Sequence, residues 1–510
     1  MDNFLIGIDV GTTGSKVLLI DSTGTVRTGV TIEYPFHTPK PLWAEQDPLE
    51  WWKATAEGIR KICADSRIAP KGVAGVGLTG QMHGLVLLDA KGDVLRPCIM
   101  WNDQRTGAEC HSITNMIGRD RVLQLTGNPV LPGFTAPKIA WVRAHEPGVY
   151  SRIAKFLLPK DYVRYRLTGT FFGDVSDASG TSLFDVGKRT WSDEMLSALG
   201  IPHSWLAEVT ESPVASAAVS AEAARVTGLL EGTPVVAGAG DQAAQAVGTG
   251  IVSEGIVSVT TGTSGVVFAA SDRYRVEPEG RLHAFCHAVP GYWHLMGVML
   301  SAGGSFRWYR DTLGDLEKER AQREHRDPYD VLVEEAEKVP AGSEGLLFLP
   351  YLTGERTPYP NPNARGVFFG LTVRHTKAHF TRAVLEGVTF GLRDSLELVR
   401  QLNLTAREVR ASGGGAKSPF WRQLMADIFQ SPILTVNVTE GAAYGAALLA
   451  GVGTSVYSSV NQACAAVLRI TGSTSPGPAS RVYGRYYEEY RTLYASLIEN
   501  FDRIAKLTQS

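Results

Sequence analysis

Two carboxylates stand where short apolar runs end against glycine: Asp9 in Ile8-Asp9-Val10-Gly11, and Asp241 in Ala239-Gly240-Asp241-Gln242. A carboxylate at the end of a buried strand, with no bulky neighbour before it, faces a cleft. It can take a proton from a hydroxyl that attacks phosphorus. Asp241 has that setting. A plainer role is to cap a helix starting at Gln242, and the two roles are compatible. Asp9 precedes the turn Gly11-Thr12-Thr13-Gly14. A carboxylate there can hold Mg²⁺, directly or through water, because magnesium usually keeps several waters. Its alternative is an Asx residue capping the turn.

The glycine-rich turns say which phosphate chemistry is open. Gly11 to Lys16 misses the P-loop spacing, as does Gly413 to Ser418. Gly75 to Gly80 fits G-x-G-x-x-G, and Gly238 to Ala243 its looser form, but a lone match of this kind is weak. The first match runs into Gln81-Met82-His83-Gly84 and another strand rather than a helix. A different reading fits better. Asp9 to Gly14 aligns with Thr260 to Gly265 at a constant offset of 251. Two such hairpins make a phosphate clamp: small residues let backbone N–H groups approach the oxygens, and threonine hydroxyls add donors. Chance likeness between two turns is the competing explanation. Gln81-Met82-His83-Gly84 and Trp101-Asn102-Asp103 both follow strands, where α/β proteins place ligands. Their hydrogen-bonding groups beside an aromatic face suit a polyol, although a lone histidine such as His83 is more often structural.

The elements that must position these residues alternate between strand-length apolar runs and helical patterns, as in an α/β protein. The pattern predicts strand, turn, strand over Phe4 to Asp21 and a strand at Val26 to Tyr34. It predicts a helix from Asp47 to Ala64, N-capped by Asp47, and strands at Val73 to Leu78 and Pro234 to Ala239. Leu85 to Asp89 and Val94 to Trp101 read as a hairpin around Ala90 to Asp93. In the later half, the pattern predicts helices at Phe380 to Leu402, Phe420 to Phe429, Ala442 to Ala450 and Tyr483 to Lys506. Strands are expected at Glu408 to Ser412 and Ile433 to Val436, a solvated charged surface helix or insertion rather than a binding patch at Asp315 to Asp330, and a loop at Gly472 to Pro478.

With 510 residues, 44% of them hydrophobic, the chain exceeds what one core organises, so two domains are expected, 1–250 and 251–510. Fifty basic against 52 acidic residues leave a net charge of −2, without the basic excess of a nucleic-acid or membrane-surface binder. The five cysteines form no C-x-x-C pair, so a reducing cytoplasm is expected and a disulfide framework or zinc site is not. No signal peptide or membrane span is read.

The motifs, in their order, resemble the FGGY family of carbohydrate kinases, whose members share two actin/hexokinase-like (ribonuclease H-like) α/β domains with a nucleotide cleft between them. The resemblance rests on Ile8 to Thr13, Gly80 to Gly84, Trp101 to Asp103, Gly133 to Lys138, Leu158 to Tyr162, Gly240 to Gln242, Thr261 to Ser264, Gly354 to Pro358 and Gly413 to Gly415. It covers residues 4 to 450. Gln81-Met82-His83-Gly84 and Pro132 to Lys138 look like the xylulokinase branch, whereas glycerol kinases carry Arg-Glu where Met82 and His83 stand. Gln242, where many xylulokinases have Asn, and Gln104-Arg105 depart from that pattern. The resemblance implies ATP and Mg²⁺, with D-xylulose as acceptor and Asp241 as base. It implies that Thr12, Thr13, Lys16, Thr261, Gly262 and Thr263 face the phosphates, and that Gly414, Gly415, Ser418 and Trp308 lie by the adenosine. Asp9 would hold the metal, and Gln81, Met82, His83, Trp101, Asn102, Asp241 and Gln242 would contact the sugar. Another ketose or polyol, an actin- or chaperone-like ATPase, and a homodimer all stay open.

Overall fold

The computed structural model describes residues 3–66 and 68–509. Phe4–Val10 and Gly14–Asp21 form an antiparallel hairpin, continued by Val26–Glu33. On its other side Phe4–Val10 runs parallel to Val73–Gly80, which pairs with Pro234–Val236 and Ala239–Gly240. Parallel strands covered on both faces read as unbroken apolar runs, which made these segments visible in the sequence. Ala215–Ala218 completes a seven-stranded sheet.

A second seven-stranded sheet repeats the plan. The hairpin of Ile256–Thr261 and Gly265–Ser271 runs parallel to Glu408–Gly413 and then Ile433–Val436, with His283–Cys286, Trp293–Met299 and Ile470–Thr474 outside. In both sheets the strand entering the hairpin ends level with a glycine on its parallel neighbour, Val10 with Gly80 and Thr261 with Gly413. The repeat seen in the sequence is therefore a repeat of structure.

The helices Asp241–Thr249 and Gly441–Gly453 lie against one another between the sheets. Ala243, Ala244 and Val247 share a buried cluster with Ala443, Leu448 and, from the first sheet, Leu5 and Ile20. Ala246 turns to Phe268 and Ala270 of the second sheet. The packing is backbone-close. A Cβ on Gly445 would lie 1.8 Å from the Ala244 carbonyl oxygen, and one on Gly7 1.9 Å from that of Ala443. A helix from the chain's later half thus covers one face of the first sheet. Ile6, Ile8 and Val10, alternating with that face, pack with Trp51 and Ile59 of the Pro48–Ser66 helix.

Four expectations need correction. The hairpin over 85–101 exists only as the single bridges Leu85–Ile99 and Leu88–Val94. Its arms pair instead with Lys155–Leu157 and Glu45–Gln46. The run from Pro234 to Ala239 is broken at Gly238, whose φ of 84° and contact with the Leu78 carbonyl only glycine tolerates. The charged segment is two helices, Asp315–Glu324 and Pro328–Ala336, and it is not only a solvated surface, since Asp327, Tyr329 and Asp330 line a cavity. The strand Ile470–Thr474 takes the start of the expected 472–478 loop.

Candidate active site

Three parallel strands of the first sheet end together, with Val10, Gly80 and Gly240 level across it. Asp9, Gln81 and Asp241 therefore share one edge, and two strand spacings put Asp9 and Asp241 about 10 Å apart. Asp241 is the first residue of its helix, and Gly240 holds the cap position expected for Asp241. Burial pushes its carboxyl up to about 7 and the Asp9 charge adds to this, while the Gln242 N–H, 2.7 Å from Oδ1, opposes. Such a carboxyl changes charge near neutral pH, where a base works best. Burial also raises Asp9, to about 6, against the pull of Lys16. Lys16 faces Asp9 in register across the hairpin but is tied to Glu440. The raised Asp9 carboxyl fits a divalent cation that arrives with phosphate ligands. Among the described residues no cluster of three or more His, Cys, Asp or Glu could hold a metal by itself.

The first turn is braced from below. Gln46 Nε2 donates to the Thr12 carbonyl at 2.7 Å, and Tyr34 Oη and Gln81 Nε2 donate to that of Gly11 at 2.6 and 3.2 Å. Gln81, expected at the sugar, thus spends its amide nitrogen on the turn and on Gln46. Thr13 is exposed on the turn. Thr12 Oγ1 accepts the indole N–H of Trp101 at 3.1 Å, which joins the phosphate turn to the sugar-binding candidate.

His83 lines a cavity of about 300 Å³ with Trp101, Gln104 and Phe134 from the first half of the chain, and with His283, Phe285, Glu355 and Arg356 from the second. Its Nδ1 donates to the Gly180 carbonyl at 2.7 Å, and since a carbonyl only accepts, that nitrogen carries the proton. Burial holds the ring neutral, with its pKa down at about 3. Nε2 is left to accept a hydroxyl. The ring stacks on Phe134 at 4.4 Å. Asn102 Oδ1 is buried with no partner among the described residues, a ready acceptor. Met82 packs under Gly240, beside the base; Met82, Asn102 and Gln242 are all outside the lining of this cavity.

The second turn borders a separate cavity of about 420 Å³, lined by Thr261, Gly262, Thr263, Gly414, Gly415 and Ser418, with Phe306, Arg307, Tyr329 and Trp421. Gly413 must be glycine: its φ is 81° and a Cβ would meet the Thr261 carbonyl at 2.5 Å. Gly303 and Gly304 close the turn from behind, donating to the Gly262 and Thr263 carbonyls at 2.8 and 3.0 Å. Trp308 lies outside the lining, its ring parallel to Phe348. Arg307, one residue earlier on the Gly303–Leu313 helix, takes the place expected for it.

Models of the FGGY family of carbohydrate kinases match both halves, the N-terminal domain over residues 4–248 and the C-terminal domain over 257–454. The chain belongs to that family. The xylulose kinase of Escherichia coli K12 is 41% identical over 497 residues, 97% of this chain and 99% of that protein. The xylulose kinase of Bacillus subtilis is 37% identical over 96% of each. The crystal structure of a xylulose kinase from Rhodospirillum rubrum superimposes with a TM-score of 0.92 at 32% identity, covering 98% of this chain and all of that one.

In this FGGY kinase several site residues escaped the sequence reading. Lys138 is fully buried, and its Nζ donates to the carbonyls of His83 and Gly133 at 2.8 and 2.6 Å, holding the residue whose side chain faces the first cavity. Its motif was visible; its target was not. Arg356 and His283 reach the cavity from the second half, and only the fold brings them to His83. Among the described residues no helix is long and apolar enough to cross a membrane.

Proposed function

We propose that this FGGY kinase transfers the γ-phosphoryl group of ATP to D-xylulose, giving D-xylulose 5-phosphate and ADP, with Asp241 as general base. The reading is carried by the place of Asp241 on the same strand-end edge as the first phosphate turn, with the strand leading to Met82-His83 between them, and by a carboxyl raised to near neutrality. The printed names of its relatives point to the same acceptor. His83 Nε2, Asn102 Oδ1 and the Trp101 face orient the sugar, with Met82 and Gln242 beside the base. The sugar oxygen attacks phosphorus as its proton passes to Asp241, and the bond from phosphorus to the bridging oxygen of ADP breaks. Thr12 and Thr13 hold the phosphates from one side, and Thr261, Gly262 and Thr263 from the other. Gly414, Gly415 and Ser418 shape the adenosine cavity. Asp9 would hold a Mg²⁺ ion arriving with ATP, which would neutralise phosphate charge. We place the division between the lobes at 250/251 and the enzyme in the cytoplasm.

A coupled ADP-release assay across ketoses and polyols tests this. D-xylulose is expected to give the highest kcat/KM. Higher kcat/KM with another acceptor overturns the sugar, and ATP turnover that needs no sugar overturns the kinase reading.

A further inference from the structure

The segment Asp174–Thr181 has no role in the site described above, yet it touches both of that site's working parts. It leaves the strand Phe172–Asp174, makes one helical turn over Val175–Ala178 and a tighter one over Ser179–Thr181, and is buried throughout. Ser176 Oγ accepts the N–H of Gly240, the residue before Asp241, at 3.1 Å. Four residues on, the Gly180 carbonyl accepts the proton of His83 Nδ1. Between them Ser179 Oγ accepts the N–H of Cys286, from the second sheet, at 3.0 Å.

Asp174 and Asp177 of the segment belong to a buried ionic cluster. Lys160 Nζ lies 2.5 Å from Asp161, 2.9 Å from Asp174 and 3.5 Å from Asp177. Asp174 Oδ2 in turn accepts from the backbone N–H and the hydroxyl of Ser176 at 2.7 and 2.5 Å and from Ser212 Oγ at 3.1 Å. Apolar groups of the same volume often stabilise a core as well as a buried ion pair does. What a hub of directed bonds supplies is a fixed place for the segment.

We infer that Asp174–Thr181 is a spacing gauge: by gripping Gly240 through Ser176 and His83 through Gly180, it sets the distance between the base and the group that orients the sugar. That distance selects which hydroxyl is presented for transfer. Ser176 and Gly180 are positioning residues, acting through Asp241 and His83. The inference rests on the roles proposed for those two residues.

Three variants separate a gauge from plain packing. Ser176→Ala removes the acceptor of the Gly240 N–H together with one hydroxyl from Asp174 Oδ2. Ser212→Ala removes a hydroxyl from the same Asp174 oxygen without reaching Gly240. Gly180→Ala would put a Cβ 2.4 Å from His83 Nδ1. Small displacements of reacting groups are costly, so Ser176→Ala should lower kcat about tenfold or more with the sugar KM within about twofold. Ser212→Ala should leave both within about twofold, and Gly180→Ala should raise the sugar KM about tenfold with the ATP KM unchanged. Equal losses in the two serine variants, or a Gly180→Ala that moves both KM values alike, overturn the gauge. If Ser176→Ala does not fold, Gly180→Ala decides alone, and an unchanged sugar KM counts against the gauge. Asp241→Asn is run alongside. Activity in that variant removes the base assignment itself, whereas an inactive Asp241→Asn with an unaffected Ser176→Ala removes only the gauge.

Discussion

At the scale of single residues, Asp241 carries a conflict between stability and chemistry. Its carboxyl is raised from 3.8 to about 7 by burial and by the Asp9 charge. A raised acid destabilises the native state once it must ionise. The loss is absent below the unfolded value near 4, grows between the two values, and is complete above about 7. Asp241→Asn escapes it. The variant should lose roughly 10²–10⁴-fold in kcat, yet melt higher than the wild type at pH 8, with the gap closing as pH falls toward 4. A wild type that melts higher than the variant at pH 8 would show that burial does not burden this carboxyl. For the same reason, wild-type kcat/KM should rise with pH through an apparent pKa near 7 and then level off. Both carboxylates were legible in the sequence because they follow apolar runs into glycine. Trp308 was misplaced because which face of its helix lines the cavity is decided by Phe348 and Tyr329, which lie more than sixty residues along the chain from the glycine loops that marked the site.

At the scale of elements, the site depends on two small-residue helices meeting at backbone distance. Gly445→Ala drives a Cβ to 1.8 Å from the Ala244 oxygen, in the helix that begins with Asp241. Such overpacking should cost about 1–3 kcal/mol or more, read as a clear drop in melting temperature. Gly107→Ala makes the same chemical change at the start of the Gly107–Ile117 helix, where a Cβ meets nothing within 4 Å, and should be neutral or stabilising. Equal effects of the two changes would refute the packing. The run Ala442 to Ala450 could be read as a helix from its composition, and its small residues hinted at close contact. That its partners are Gly7, Gly77 and Ala244 could not be read, since periodicity describes a face and not what covers it. The expected hairpin over 85–101 failed for a related reason. Its arms pair with strands at 45–46 and 155–157, and a local pattern carries no information about so distant a partner.

At the scale of the whole molecule, the cavity proposed for the sugar takes His83 and Trp101 from one half and His283 and Arg356 from the other. One phosphate turn likewise comes from each sheet. A nucleotide and a sugar bound together should therefore draw the halves closed, excluding water that would otherwise accept the phosphoryl group. Small-angle scattering should show a smaller radius of gyration with xylulose and a non-hydrolysable ATP analogue together than with neither. An unchanged radius at shown saturation would remove closure from the mechanism. The duplicated plan was legible from the 251-residue offset of the two hairpins. The crossing over of the Gly441–Gly453 helix to the first sheet was not. That crossing has a consequence for how the protein is made. The last strand of the first sheet leaves the ribosome with Gly240, but the helix that covers its glycine-lined face follows only roughly two hundred residues later. At about 5–20 residues per second, the nascent sheet waits roughly 10–40 s with one side bare, so the first half of the gene encodes a lobe that its own translation cannot finish.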